Sequence, residues 1–295
     1  MVPIHIDDIF IIWDNYNSSN DTTINMIKII IICAFLFLPI NSIGQKNIYI
    51  YHDSGVSEEA YMQTQKTFKT LFKQRNIVPI NAYQVKRGLW RNHALLFVIP
   101  GGADVPYINK LHGQGDFQIK TYVKNGGSFI GICAGAYYAS KHVIFDQGGP
   151  LEIIGDRHLA FFKGTSIGPV YGPYYYQSQQ SSRAIPIFTK WRRLKETTVF
   201  YNGGGYFKNA QQYPNTQVIA KYANHSPAII YISYGKGHAL LSGVHFEYNP
   251  DALDIQNKYI KAIYPKLNRC NPSRLKLLDH LMNLIHLNPT SSDIH

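Results

Sequence analysis

The sequence predicts an α/β domain built on a mostly parallel sheet with helices on both faces and β-hairpin insertions. Three observations carry that expectation. Short, wholly apolar runs at 94–99 and 129–132 suit strands covered on both faces, and they alternate with segments of helical character. A 295-residue chain that is 45% hydrophobic and 14% aromatic is globular in composition and long enough to bury a large core. Finally, Gly131-Ile132-Cys133-Ala134-Gly135 turns one apolar run abruptly into a small-residue segment, the pattern of a strand ending in a tight turn and a helix.

Taken in order, residues 1–25 are polar and acidic around a short apolar patch, and little fixed structure is expected there. Residues 26–44 read as a secretory signal peptide: Met26-Ile27-Lys28, an apolar run over 29–38, then Ser42 and Gly44 as small residues before a cut. On this reading Met26 is the initiator and the protein is exported, periplasmic or secreted; an uncleaved anchor and a buried strand are the other readings of the run. The apolar stretch is short for a membrane span.

The main domain is expected over 45–250, with helices over 251–295 completing it. Residues 47–51 form a first strand, and 56–74 a helix started by Ser57 with Glu58 and Glu59 in its first turn, where acidic groups favour the helix N-terminus. A second strand over 77–85, broken at Pro79, and a third over 94–99 follow. A helix over 116–124 leads into the strand 129–132. Residues 147–182 are dense in Gly, Pro, Tyr and Ser and read as hairpins and loops over the site, with the tyrosine run 171–176 lining a pocket, packing or forming an exposed loop. Strands are expected at 199–201 and 217–222, with 228–233 and 239–244 as a hairpin about Gly235-Lys236-Gly237. Helices at 251–263 and 273–287 close the chain, the second with Leu275, Leu278, Met282 and Ile285 as a core-facing stripe.

Composition narrows the function. Lys and Arg number 29 against 18 Asp and Glu, a net charge of +11. Such a balance allows weak contact with anionic surfaces, but no nucleic-acid motif accompanies it and a basic solvated surface accounts for it. The cysteines, Cys33, Cys133 and Cys270, form no Cys-x-x-Cys pair, so neither a disulfide framework nor structural zinc is indicated. His142, His158, His225 and His238 lack metal-ligand spacing. Residues 202–205 lack the lysine of a phosphate loop, and Gly113-Gln114-Gly115 completes no dinucleotide fingerprint. No metal and no cofactor is implied.

Cys133 is the candidate nucleophile. A side chain at the tip of a strand-to-helix turn sits in strained backbone and needs neighbours without a Cβ, which Gly131 and Gly135 provide, and the following helix favours a thiolate. The bland alternative is a buried cysteine acting as a small apolar residue. Cysteine chemistry on a carbonyl also needs a base, a group to orient it and oxyanion donors. His245 and Glu247, two apart in an extended segment, project to one side and supply base and orienter. Gly101-Gly102 after the third strand and the N–H of Ala134 could form the oxyanion hole.

These motifs, Pro100-Gly101-Gly102, Gly131-Ile132-Cys133-Ala134-Gly135 and His245-Phe246-Glu247, resemble those of class I glutamine amidotransferase-like proteins. With Ala103-Asp104, Gly149-Pro150-Leu151-Glu152 and Tyr201-Asn202-Gly203-Gly204-Gly205, the chain over about 47–250 is similar to the N-terminal domain of eukaryotic-type biotin-protein ligases. The resemblance implies a flavodoxin-like fold, Cys133 as nucleophile, His245 as base, Glu247 as orienter, Gly102 and Ala134 as oxyanion donors, and Gly101, Asp104, Tyr137 and Asn202 around the substrate. Tyr137 stands where glutaminase domains usually carry Gln, and Phe246 where the family has Pro. No Gly-Arg-Gly-Arg loop of the biotinyl-adenylate type occurs, so biotin transfer is not expected. The expected activity is a cysteine-dependent hydrolase or acyltransferase acting on an amide or ester of a small molecule or peptide; the alternative is a binding or regulatory module on the same scaffold.

Overall fold

The computed structural model describes residues 46–287. The run read as a signal peptide, the acidic extension before it and Cys33 lie outside the described residues.

The central sheet has nine strands in the order β2-β1-β3-β4-β13-β12-β11-β8-β9. Strands β1 (Asn47–Tyr51), β2 (Ile77–Ile80), β3 (Ala94–Ile99), β4 (Ser128–Ile132) and β13 (Gly237–Ser242) form its parallel half. Strands β12 (Pro227–Tyr234), β11 (Thr216–Tyr222), β8 (Arg183–Thr189) and β9 (Glu196–Tyr201) extend it in antiparallel pairs. That antiparallel half curls back: Phe200 of the edge strand β9 makes an isolated bridge to His245, just beyond β13.

Side-chain alternation divides the parallel strands between two cores. Ile48, Ile50, Leu96, Val98, Ile130 and Ile132 face one layer, shared with α1 (Glu58–Leu71) and α7 (Asn271–Leu284). Tyr51, Phe97, Ile99 and Phe129 face the other, covered by α2 (Ala82–Arg87), α3 (Asp104–Leu111), α4 (Gln114–Lys124) and α5 (Ala134–Tyr138). Every apolar residue of β3 and β4 thus meets a helix or a neighbouring strand, which is why those runs carry no polar alternation. Helix α6 (Lys258–Arg269) packs through Ile260 and Leu267 beside Phe200 and Tyr248.

A second sheet has the order β10-β7-β5-β6, and its Val143, Phe145 and Ile153 line a cavity together with Cys133. It comprises β5 (Ser140–Phe145), β6 (Ile153–Asp156), β7 (Phe162–Gly168) and β10 (Tyr206–Phe207), with β5 and β6 as a hairpin. Asp146 closes that hairpin turn, its carboxylate accepting from the Leu151 N–H at 2.9 Å while Glu152 accepts from Gly148 N–H at 2.6 Å.

Several boundaries differ from the sequence expectation for identifiable reasons. The strand expected over 77–85 stops at Ile80, because Asn81 caps α2 in a reciprocal box with Gln84. Helix α3 was not anticipated: Ala103 offers no side-chain cap, and the Gly-Gly before it reads as a turn. The helix expected from residue 251 begins at Lys258, where Asn257 caps it; Pro250–Ala252 is a single 3-10 turn. The apolar stripe of α7 is buried at Leu278, Met282 and Ile285 as expected, with Leu275 half-buried.

Close approach of glycine backbone is what lets β3, β4 and α5 meet. A Cβ on Gly135 would lie 2.1 Å from the carbonyl oxygen of Ile99, backbone that cannot move aside. Gly135→Ala should therefore destabilise the fold by roughly 1–3 kcal/mol, the usual range for overpacking, read from urea denaturation; an unchanged midpoint would count against this packing.

Candidate active site

Cys133 occupies the turn between β4 and α5 with φ 51° and ψ −107°, a left-handed conformation that disfavours any residue with a Cβ. Four backbone hydrogen bonds hold it. Its N–H donates to Ser242 O at 2.8 Å, its carbonyl accepts from Ala136 and Tyr137 at 3.0 Å, and Gly135 N–H donates to Pro100 O at 3.2 Å. A Cβ on Gly131 would come within 2.6 Å of Gly135 O, so both flanking glycines are required by contact. Helix α5 is only five residues long, so its dipole is a small part of the thiol's surroundings.

Strand β13 lies beside β4, and the chain leaving it brings His245 to the cysteine. His245 N–H donates to Phe200 O at 2.9 Å, which fixes the backbone, and Nδ1–H donates to Glu247 Oε1 at 2.7 Å, which fixes the ring. Both side chains are buried, and His245 and Cys133 border the same cavity. Gly101 makes room for this meeting: a Cβ there would sit 2.8 Å from His245 Cε1 and 3.5 Å from Cys133 Cβ. Tyr248 and Phe200 wall the ring, at 4.6 and 5.7 Å between centroids.

Burial alone would depress the basicity of His245. Glu247 and Cys133 together outweigh it, the Glu247 charge foremost, and the imidazole is raised from 6.5 to about 10. The reverse applies to Arg274, buried behind the pair and donating to Phe246 O at 2.9 Å: burial lowers it to about 10 against the pull of Glu247.

The loop after β3 passes in front of the turn. Gly102 adopts φ 148°, and a Cβ would meet Gly55 O at 2.0 Å, so only glycine fits. Tyr107 OH, donating toward Pro100 O and Gly101 O at 3.2 Å, braces the loop from behind. Neither Gly102 N–H nor Ala134 N–H has a backbone acceptor among the described residues, which leaves both available to a developing oxyanion.

Two cavities meet at Cys133, of about 450 and 370 Å3, with Gly102, Ala103, Tyr174, Tyr176 and Asn202 shared between them. His245 borders only the larger, whose other charged residues are Glu58 and Glu59; Ala134 and Tyr137 border only the smaller. His245 and Ala134 therefore border different cavities, while Gly102 and Cys133 border both.

Of the residues expected around a substrate, Gly101 lines the larger cavity, and Asn202 lines both while accepting the Cys133 thiol at its carbonyl, 3.7 Å away. Tyr137 is buried and its hydroxyl donates to Gly203 O at 3.1 Å. Asp104 borders the smaller cavity, but its carboxylate accepts from Arg157 Nε at 2.6 Å, in an ion pair that the sequence pattern did not suggest. The glycines after Asn202 are packing seats: a Cβ on Gly204 would lie 1.7 Å from Gly243 O, and one on Gly205 2.7 Å from Tyr137. Of the tyrosine run, Tyr174 and Tyr176 line both cavities, whereas Tyr171 packs edge-on to Tyr201 at 5.2 Å.

Glu59 is the residue sequence reasoning missed. As a first-turn carboxylate it reads as a helix-dipole partner, yet it lines the larger cavity, half-buried, and accepts from the Gln179 amide. Burial raises its carboxyl above the ordinary value, against the pull of His245 and Gln179. No cluster of three or more metal-ligating side chains occurs among the described residues.

The raised His245 gives a testable sign. Its value is 6.5 when unfolded and about 10 when folded, so its stabilising contribution is full below pH 6.5 and is lost as pH rises through about 10. The gap in unfolding free energy between wild type and His245→Gln should shrink across that window in urea titrations at successive pH values. A constant or widening gap would contradict a protonated buried imidazole.

Comparison with known proteins bears on the whole described region. The family model described as "Biotin-protein ligase, N terminal" matches residues 46–294. A biotin-protein ligase of Schizosaccharomyces pombe is 31% identical over 254 residues, covering 82% of this chain and 38% of that protein, so the chain spans well under half the length of this relative. An uncharacterized protein of Chlamydia muridarum is 35% identical over 225 residues, 74% of this chain and 86% of its own length. Among solved structures, a GMP synthase-type protein from Thermoplasma acidophilum overlays with TM-score 0.45 and 13% identity, covering 76% of this chain and 98% of its own. By the extent of the family match and the likeness to both relatives, the chain belongs to the biotin-protein ligase N-terminal family.

Proposed function

We propose that the protein is an exported cysteine-dependent hydrolase or acyltransferase that cleaves an amide or ester through Cys133, His245 and Glu247. The observation that carries this reading is the placement of one strained cysteine between a buried, carboxylate-held imidazole and free backbone N–H groups. In the first step the Cys133 sulfur attacks the carbonyl carbon and the oxygen takes up negative charge facing Gly102 and Ala134. The intermediate collapses as the carbon–nitrogen or carbon–oxygen bond breaks and His245, protonated near neutral pH, gives its proton to the leaving group. A thioester and a neutral imidazole remain. The imidazole then takes a proton from water or from an acceptor, the new nucleophile attacks the thioester, and the sulfur–carbon bond breaks. Glu247 holds Nδ1–H throughout and keeps Nε2 as the working nitrogen.

A second reading, a binding or regulatory module related to biotin-protein ligase, is favoured by the family membership itself, since a fold does not fix its function. Iodoacetamide separates the two. The enzyme reading expects Cys133 to alkylate at least about tenfold faster than the half-buried Cys270 near neutral pH, despite its burial, with the advantage lost in His245→Ala. Equal, slow labelling followed by mass spectrometry would leave the binding module. Export rests on the run beginning at Met26 being a cleaved leader, and a mature protein whose N-terminal sequence begins at Met1 would overturn it.

A further inference from the structure

The two chambers beside Cys133 differ in chemistry, and the mechanism fixes which half of a substrate each receives. A leaving group must reach His245 to be protonated, and His245 borders only the larger chamber. The acyl half then extends past Ala134 into the smaller one.

That smaller chamber is walled by Val105, Pro106, Val143, Phe145, Leu151 and Ile153. Its two carboxylates are already engaged, Asp104 by Arg157 and Glu152 by the Gly148 N–H. The larger chamber is the opposite. It contains no Lys or Arg, although the chain carries a net charge of +11. Its imidazole already has a counter-charge in Glu247, so although Glu59 feels the His245 charge and accepts from the neutral Gln179 amide, the lining with Glu58 and Glu59 holds more carboxylate than cation. Burial of the Glu59 carboxylate is the kind of imbalance an arriving cation relieves.

Resting on the proposed reaction, we infer that the substrate is an amide joining an apolar carboxylic acid to an amine that bears a second, protonated nitrogen, with the acyl chain in the Val105–Leu151 chamber and the cation at Glu59. Amide cleavage of such a molecule consumes one water, breaks the carbon–nitrogen bond and releases the free acid and a diamine.

The test uses the full chain as Cys133→Ala, which leaves the amide intact, and calorimetric titration with three probes: N-hexanoylputrescine, N-acetylputrescine, and the neutral N-hexanoyl aminobutanol. N-hexanoylputrescine should bind tightest. Affinity should fall by about fourfold for each methylene removed from the acyl chain, and by roughly tenfold for the neutral probe or on Glu59→Gln. Leu151→Asn, a half-exposed turn residue whose replacement spares the core, should weaken the hexanoyl probes and leave N-acetylputrescine unchanged. Equal affinity for charged and neutral probes, no dependence on acyl length, or no binding at all would overturn the inference. The two proposals fail separately: wild type that binds N-hexanoylputrescine without cleaving it removes the hydrolase and keeps the ligand class. Fast alkylation of Cys133 with no preference among the probes does the reverse.

Discussion

The left-handed backbone at Cys133 is the constraint on which the site depends. A residue with a Cβ in that conformation is strained by about 1–3 kcal/mol, and the strain is held by hydrogen bonds to Pro100 and Ser242, each at the carboxyl end of a neighbouring strand. Because β3, β4 and β13 are adjacent in the parallel half of the sheet, the same contacts that hold the turn bring the Gly101-Gly102 loop and the histidine segment to it. Tight packing and site assembly are one geometric fact, and the glycines at 101, 102, 131 and 135 are its visible mark.

Electrostatics divides the labour around the sulfur. A buried imidazole would ordinarily be neutral, and it is Glu247, itself buried, together with Cys133 that makes the charged form the stable one. Glu247 Oε2 has no hydrogen-bond partner among the described residues, and the nearby Arg274 supplies the compensating positive field while its own donors hold Phe246 O and Asn271. The negative charge at Glu59 enters from a different element, α1, on the solvent side of the histidine.

Much of the architecture was legible because the parallel strands are buried on both faces and write themselves as unbroken apolar runs. The elbow was legible for a steric reason, since Gly-x-Cys-x-Gly after such a run has few other uses. What the residues could not tell lies mostly where tertiary contacts override local signals. Strand β8 carries Pro186 and half-exposed positions, and α3 starts without a capping side chain. The Asp104–Arg157 pair joins residues 53 apart in sequence, and nothing local announces it. Glu59 illustrates the same limit: a carboxylate in a first turn satisfies a local rule so well that its second role, at a cavity wall, leaves no trace in the pattern. The role of Asn202–Gly205 was also hidden, because glycines that seat Tyr137, Tyr174 and Gly243 look in sequence like a flexible loop.

The curled antiparallel half has a consequence of its own. Strand β9 and the residue after it reach the candidate site twice within three residues, holding His245 through the carbonyl of Phe200 and the Cys133 thiol through that of Asn202. Sulfur and imidazole are thus registered against one common ruler that belongs to neither of their own strands. A displacement of that edge would therefore act on the sulfur and the imidazole together, through two carbonyls that stand two residues apart.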